Sequence, residues 1–364
     1  MTATTAAADR PAPTAHGVPA GSRTPAVPLV GAAAALLVVI AGCSSPASGV
    51  ASGTTGATAS GSTASGDVGG AVATAPGTSG GAPANGVTGS GTPIPGGPAA
   101  ELPRGGRTVF PANRLVGFSG YPGTPALGRM GVGKLADRVA EMDKLGRVYR
   151  QGRPLHLPVL ELIATIVHGS PGRDGMYRGR IDEHIVQTHL EAARQGRGLL
   201  LLNIQPGRSD FLTEVKHWEK YLVDPHVGVA LDPEWRMGKG QVPMRVFGSV
   251  NGTELNAVAA YLSGLVAKHN LPEKVMVVHQ LRLDIIKNEA GLKRHPGVVA
   301  IKSVDGIGSP SMKLETWRVL TKKMNPVFHP GFKLFYSEDA EFGPIMKPAA
   351  VMAIKPTPEY ILYE

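Results

Sequence analysis

Only one of the 364 residues, Cys43, is a cysteine, so no intrachain disulfide can brace the fold. Any folded part must be held by its hydrophobic core alone, which calls for a large domain rather than a small stapled one. Aromatic residues are also scarce, at 5%, and none precedes Phe110. A core is hard to assemble without aromatics or periodic apolar positions, so everything before about residue 105 reads as non-globular. Charge is nearly missing from the same stretch, where Asp9, Asp67 and Glu101 offset Arg10, Arg23 and Arg104. The formal net charge of +9 therefore resides on residues 105–364. In an exported chain that balance suits anionic surface polymers or headgroups rather than nucleic acid, and plain solubility accounts for it equally well.

What the N-terminal third does contain is an address. Met1 to Arg23 is polar and rich in Ala, Pro and Thr; an apolar run from Ala26 to Ala41 follows and closes on Ile40-Ala41-Gly42-Cys43-Ser44. The run is shorter than the roughly 20 residues of a comfortable membrane span. A positive lead, an apolar segment and small residues at its end spell an export signal. The closing residues resemble the lipobox of bacterial lipoproteins. That resemblance implies cleavage before Cys43, lipidation of Cys43 and an extracytoplasmic chain anchored to the cell membrane. An uncleaved helix would leave the domain on the same side. The Gly, Ser, Thr, Ala and Pro of residues 44–104 describe a flexible tether reaching on the order of 40 Å. The expected organisation is a signal peptide over 1–43, a disordered linker over 44–104 and one domain over 105–364.

Within that domain, apolar runs of strand length alternate with helical periodicity. Strands are expected at Leu115–Gly120, Val159–Val167, Leu199–Leu202, Val227–Leu231, Lys274–His279, Val298–Val304, Phe332–Tyr336 and Tyr360–Tyr363. Helices are expected at Leu135–Tyr149, Ile181–Gln195, Phe211–Leu222, Thr253–Asn270, Leu283–Leu292, Met312–Lys323 and Pro348–Ile354. Eight strands alternating with helices over about 260 residues predict an α/β fold, a (β/α)8 TIM-type barrel. A doubly wound open sheet is the alternative. The seam after the last strand needs a cover, from residues before Arg114, from the tether or from a partner.

Several constellations carry little chemistry. Gly128-Arg-Met-Gly-Val-Gly-Lys134 fits most of a P-loop, but Leu135 stands where Ser or Thr should reach magnesium. His184 and His189 lie five apart, which does not place them on one helix face as metal ligation requires. No Gly-x-Ser-x-Gly elbow occurs within residues 105–364, so serine nucleophile chemistry has no support there. No cofactor and no metal is expected. Ser170-Pro-Gly-Arg173 and Gln205-Pro-Gly-Arg208 follow the second and third strands, where Arg173 and Arg208 could hold an anionic group or simply close turns.

The informative pattern is polar residues at one end of apolar strands, the end where barrel sites are built. Strand alternation puts Asn203 and Gln205 after inward Leu199 and Leu201, and Asp232 and Glu234 after inward Gly228 and Ala230. His279 or Gln280 ends the fifth strand, Asp305 the sixth, Tyr336 and Glu338 the seventh, and Glu364 the eighth. Small residues on the face that carries the acids indicate a crowded barrel interior.

The run Val227-Gly-Val-Ala-Leu-Asp-Pro-Glu-Trp235 resembles the fourth-strand motif Asp-Gly-x-Asp-x-Asp-x-Glu of family-18 chitinases, commonly followed by an aromatic residue. Gly228, Asp232, Glu234 and Trp235 match it; Val227 and Ala230 replace its first two acids. The Asp-x-Glu pair is also similar to that of the family-25 muramidases, and the domain as a whole resembles a group of bacterial lipoproteins carrying such a barrel. The resemblance implies that Glu234 is the general acid and that Asp232 orients a substrate group or raises the acid's pKa. Asp305, Glu338 or Glu364 would serve if a separate base is needed. Trp235 would stack on a sugar face or simply plug the barrel top, with Tyr121 and Tyr336 as lesser stacking candidates. Asn203, Gln205, Arg208 and His279 complete the expected binding set. The expected function is glycoside hydrolysis of cell-envelope carbohydrate; the rival is a non-catalytic ligand-binding barrel.

Overall fold

The computed structural model describes residues 99–150, 152–153 and 155–364. The stretches expected to form an export signal ending at Cys43 and, up to residue 98, a tether lie outside the described residues. Eight strands build a barrel: β1 (Asn113–Gly120), β2 (Leu155–Val167), β3 (Leu199–Ile204), β4 (Val227–Leu231), β5 (Lys274–Gln280), β6 (Val298–Val304), β7 (Phe328–Leu334) and β8 (Tyr360–Tyr363). Each pairs in parallel with the next, and β8 pairs back onto β1 through Leu115–Tyr360 to Phe118–Tyr363. The parallel sheet thus closes on itself, which removes exposed strand edges.

The helices are α1 (Leu135–Val148), α2 (Glu183–Gln195), α3 (Phe211–His217), α4 (Glu219–Leu222), α5 (Gly252–His269), α6 (Pro310–Thr321) and α7 (Pro348–Ala353). Side-chain caps start several of them. Asp182, Asp210, Asn251 and Ser309 each accept from a backbone N–H of the first turn of α2, α3, α5 and α6. One connection departs from expectation. Leu283–Leu292 forms no helix; 3-10 turns at Leu283–Ile285 and Glu289–Gly291 flank a two-residue strand, Ile286–Lys287. Asn288 between them takes the left-handed conformation (φ 55°), which ends any helix there. Beneath these turns the outward-facing Lys302 of β6 is buried and bonds Glu289 at 2.7 Å. The β5–β6 connection therefore supplies no α-helix, and α5 packs on both of these strands.

The seventh strand also begins earlier than the sequence suggests. Expected at Phe332–Tyr336, it runs from Phe328 to Leu334 through His329-Pro330-Gly331, where the Pro330 carbonyl accepts from the Glu359 N–H at 2.8 Å. A proline removes only its own donor.

Two apolar layers follow from the period-two alternation. Inward residues such as Leu115, Val159, Leu201, Ala230, Val277 and Ile301 fill the barrel. Outward residues such as Val116, Leu202, Val229, Leu231 and Val278 pack under the helices. Gly228 shows how tight the interior is, because a Cβ there would stand 2.5 Å from the Val275 carbonyl oxygen. Residues before β1 close the floor rather than the seam. Leu102 and Val109 join the inner cluster, the Val109 N–H donates to Glu273, and Arg107 donates to the Asn270 and Leu271 carbonyls. The seam between β1 and β8 is covered by aromatics: Tyr363 packs on Phe118, Tyr149 and Tyr336, and the Tyr149 and Tyr363 hydroxyls meet at 2.5 Å. Among the described residues no helix is long and apolar enough to cross a membrane.

Candidate functional site

The inward positions turn polar together at the C-terminal ends of the strands. Ser119 of β1, Glu161 of β2, Asn203 of β3, His279 of β5, Ser303 of β6 and Lys333 of β7 are buried there, with Asp232 and Asp305 just beyond β4 and β6. The same alternation that packs Val159, Leu201 and Ile301 below aims these side chains at one another above.

They form a chain of alternating charge. The Glu161 carboxylate accepts from the Tyr360 hydroxyl at 2.6 Å and from the Asn203 amide at 3.1 Å. His279 Nε2 lies 3.1 Å from Glu161 Oε1, an ion-pair contact without hydrogen-bond alignment, and its Nδ1 meets Asp305 Oδ2 at 2.7 Å. Asp305 also accepts from the Ser303 hydroxyl at 2.7 Å and lies 3.3 Å from Lys333 Nζ, which in turn bonds Glu364 at 2.7 Å. The order Glu161, His279, Asp305, Lys333, Glu364 thus alternates anion and cation through the mouth.

The surroundings set the protonation of each member. Burial alone would neutralise His279, but Asp305 and Glu161 on its two sides push its pKa well above the usual imidazole value. Burial likewise works against the Asp305 charge, yet the His279 and Lys333 cations outweigh it and hold the carboxyl at about 2. Glu161 is lowered in the same way: burial raises it and the His279 cation overrides that.

Glu234 is the opposite case. It is buried at the mouth with no cation of its own, and its Oε2 has no hydrogen-bond partner. Burial first, then the charges of Asp232 and Asp305, drive its pKa well above the ordinary carboxyl value. Asp232 is raised as well, chiefly by burial, although the Asn203 and Gln205 amides donate to it at 2.9 and 3.1 Å. Glu234 therefore keeps its proton to a higher pH than an ordinary carboxyl, while Asp305 is ionised down to a lower one. The two carboxyls line one narrow cavity of about 90 Å³, with Asn203, Gln205, Trp235, Lys333 and Glu364.

The backbone that presents Glu234 differs from an extended strand. β4 ends at Leu231, and Pro233 opens a 3-10 turn over Pro233–Trp235 that carries the glutamate. A proline fixes φ near the value a helical first position needs. The Glu234 carbonyl then accepts from Gly248 N–H at 2.6 Å, tying the turn to the segment that folds back over the mouth. Arg208 holds that segment too. It donates to the Gln241 carbonyl at 3.0 and 2.8 Å and lies 4.2 Å from the Tyr177 ring centre, so its charge braces a loop instead of lining the cavity.

Of the residues expected at the site, Glu234, Asp232, Trp235, Asn203, Gln205, Asp305 and Glu364 line the cavity, and His279 lies buried against Asp305. Tyr336 stands outside it, half stacked on Tyr363 at 5.2 Å, because the strand ends at Leu334 and position 336 falls on the outward side. Glu338 and Tyr121 also lie outside the lining, and Arg173 is exposed on its loop. Sequence reasoning missed Glu161, Lys333, Ser119, Ser303 and Tyr360. The signal for two of them was present: a glutamate inside Leu-Pro-Val-Leu-Glu-Leu-Ile, and a lysine two residues after Gly331, each at inward parity.

Among the described residues no three His, Cys, Asp or Glu side chains are arranged to hold a metal ion. No protein-family model matches the chain, and no curated protein matches it.

Proposed function

We propose that this barrel is a glycoside-hydrolase-like enzyme acting on cell-envelope carbohydrate, lipid-anchored at Cys43 on the extracytoplasmic face of the membrane. The observation that carries the reading is a single cavity shared by two carboxyls whose surroundings push them in opposite directions, Glu234 up by burial and neighbouring carboxylates and Asp305 down by His279 and Lys333. Glycosidic cleavage needs that division of labour, one acid to protonate the leaving oxygen and one carboxylate to face the developing oxocarbenium carbon. Glu234 donates its proton to the glycosidic oxygen as the C–O bond breaks. Asp305 stabilises the positive carbon and takes a proton from the incoming water. Asp232 keeps the Glu234 proton in place by like-charge proximity. The unpartnered Asn203 Oδ1 and Glu234 Oε2 are free to meet substrate hydroxyl and bridging oxygen, and Trp235 gives the cavity an apolar wall.

The test is release of reducing ends from peptidoglycan-type and chitin-type oligosaccharides by wild type, Glu234→Gln and Asp305→Asn. Loss of release in both variants is expected, and activity that survives Glu234→Gln would sink the role given to it. The second reading, a ligand-binding barrel without turnover, draws on the small volume of the cavity. Saturable glycan binding that both substitutions leave unchanged would favour it. Membrane attachment that persists in Cys43→Ala would remove the lipid anchor.

A further inference from the structure

The cavity that holds Glu234 and Asp305 admits only a few water-sized positions, so most of any substrate must lie elsewhere. A second depression begins where it ends. Leu281 and Asp305 line both, and the second has a volume of about 760 Å³, within the range of roughly 300–1,000 Å³ typical of small-molecule sites.

Its origin is the missing outer helix. Each helix of a (β/α)8 barrel packs against neighbours on both sides, but the β5–β6 connection supplies only 3-10 turns. The side of α6 that such a helix would cover is left open, presenting Met312, Thr316 and Val319, with Ile307 and Leu283 opposite. Leu283 is 62% exposed, the largest exposure among the big apolar side chains described. The charged groups, Arg282, Asp284 and Glu315, are exposed, and Arg282 and Asp284 pair with each other at 2.7 Å. The groove therefore offers apolar contact along its length and no buried charge except Asp305 at the end it shares with the acid–base pair.

We infer that this groove takes the aliphatic chain of an amphiphilic glycoside, with the sugar at Asp305 and the hydrocarbon running along α6 past Leu283 and Val319. The placement of the sugar rests on the hydrolase reading; the hydrocarbon site rests on the groove itself. Continuity with the polar cavity selects a molecule with one polar end, and the run of Leu283, Ile307, Met312, Val319 and Leu320 along the walls, with the charged groups exposed at the rim, selects a saturated chain over a peptide, most of whose amides would go unpaired there.

The experiment is calorimetric binding of n-alkyl glucosides from methyl to dodecyl, below their micelle concentrations, to full-length Glu234→Gln protein. Burial of successive methylenes predicts about fourfold tighter binding for each one until the groove is full. Adding Leu283→Asp or Val319→Asp should flatten that slope, with Leu283→Met retaining it and circular dichroism showing each variant folded. A flat series in the parent, or a slope that survives Val319→Asp, overturns the proposal. So does an apolar helical peptide that binds more tightly than every glucoside and is displaced by none. Hydrolysis by the wild-type protein is scored separately. Turnover with a flat series removes the groove and keeps the hydrolase, whereas a steep series without turnover does the reverse.

Discussion

The two ends of the barrel are built from the same strands yet solve opposite problems. At the floor, inward Leu115, Leu157, Leu199 and Val275 meet Leu102 and Val109 in a dry apolar plug. One or two inward positions further along the same strands, Glu161, Asn203, His279, Ser303 and Lys333 replace them, and nearly every charge has a partner of the other sign. The floor gains stability from burial of hydrocarbon. The mouth gives some of that up to hold charges out of water, and within it Glu234 alone has neither a cation nor a hydrogen-bond partner for Oε2. A residue that the fold does not need in this form is where chemistry is to be sought.

Substitutions at the two ends should therefore separate rate from stability. The largest expected effect is Glu234→Gln, which should lower glycoside turnover by about 10²–10⁴-fold, the usual worth of a general acid. The melting temperature should hold or rise, because a buried acid is replaced by an isosteric amide; calorimetry beside a reducing-end assay checks both. His279→Ala should come next. It leaves the Glu161 and Asp305 charges facing each other, and loss of one partner from a buried ion pair costs about 3–5 kcal/mol, read as a lowered urea midpoint. Leu201→Ala, in the inner layer below, should cost about 2–5 kcal/mol through a cavity. Its folded fraction should keep the wild-type turnover number, and a drop in that number would blur the division between the ends. The smallest effect is expected for Tyr336→Phe, which lies outside the cavity; stability should move by no more than about 0.5 kcal/mol, with turnover unchanged.

The apolar end was far more legible in the sequence than the polar one. Val227, Val229 and Leu231 alternate with Gly228 and Ala230, and that pattern alone gives the strand, its faces and the crowding that the Gly228 contact confirms. Helices starting at Asp182, Asp210 and Ser309 carry their caps in the sequence. The connection at Leu283–Leu292 misled because its apolar spacing suits a helix, whereas the left-handed Asn288 and the Lys302–Glu289 pair decide otherwise. At the mouth, Asp232, Glu234 and Asp305 stood out as acids ending apolar strands. Glu161 and Lys333 did not, because they sit inside strands whose neighbours are apolar, and their role depends on His279, 118 residues from Glu161, and Asp305, 28 residues from Lys333, being brought beside them by closure of the barrel. Charge pairing across strands is a property of the closed sheet and has no local signature.

The same contrast predicts opposite responses to pH. Asp305, lowered to about 2 from an ordinary value of 3.8, stabilises the fold above pH 3.8 and loses that contribution as pH falls through about 2. His279, raised above 6.5, contributes fully below pH 6.5 and loses it as pH rises through its elevated value. Their pair is thus fully effective between pH 3.8 and 6.5. Glu234 runs the other way from Asp305. Raised above 4.5, it favours the folded state below pH 4.5 and progressively less as pH rises through its elevated value. Glutamine at 234 has no such dependence, so the stability of Glu234→Gln should gain on the wild type as pH climbs above 4.5.

The most direct measurement is a carbon-13 titration of the side-chain carboxyls, with Glu234→Gln and Asp305→Asn assigning the two signals. The account predicts that the Glu234 carboxyl stays protonated well above pH 4.5 while Asp305 remains ionised down to about pH 2. A Glu234 signal that titrates at or below 4.5 would contradict it, and with it the acid role on which the proposed chemistry stands.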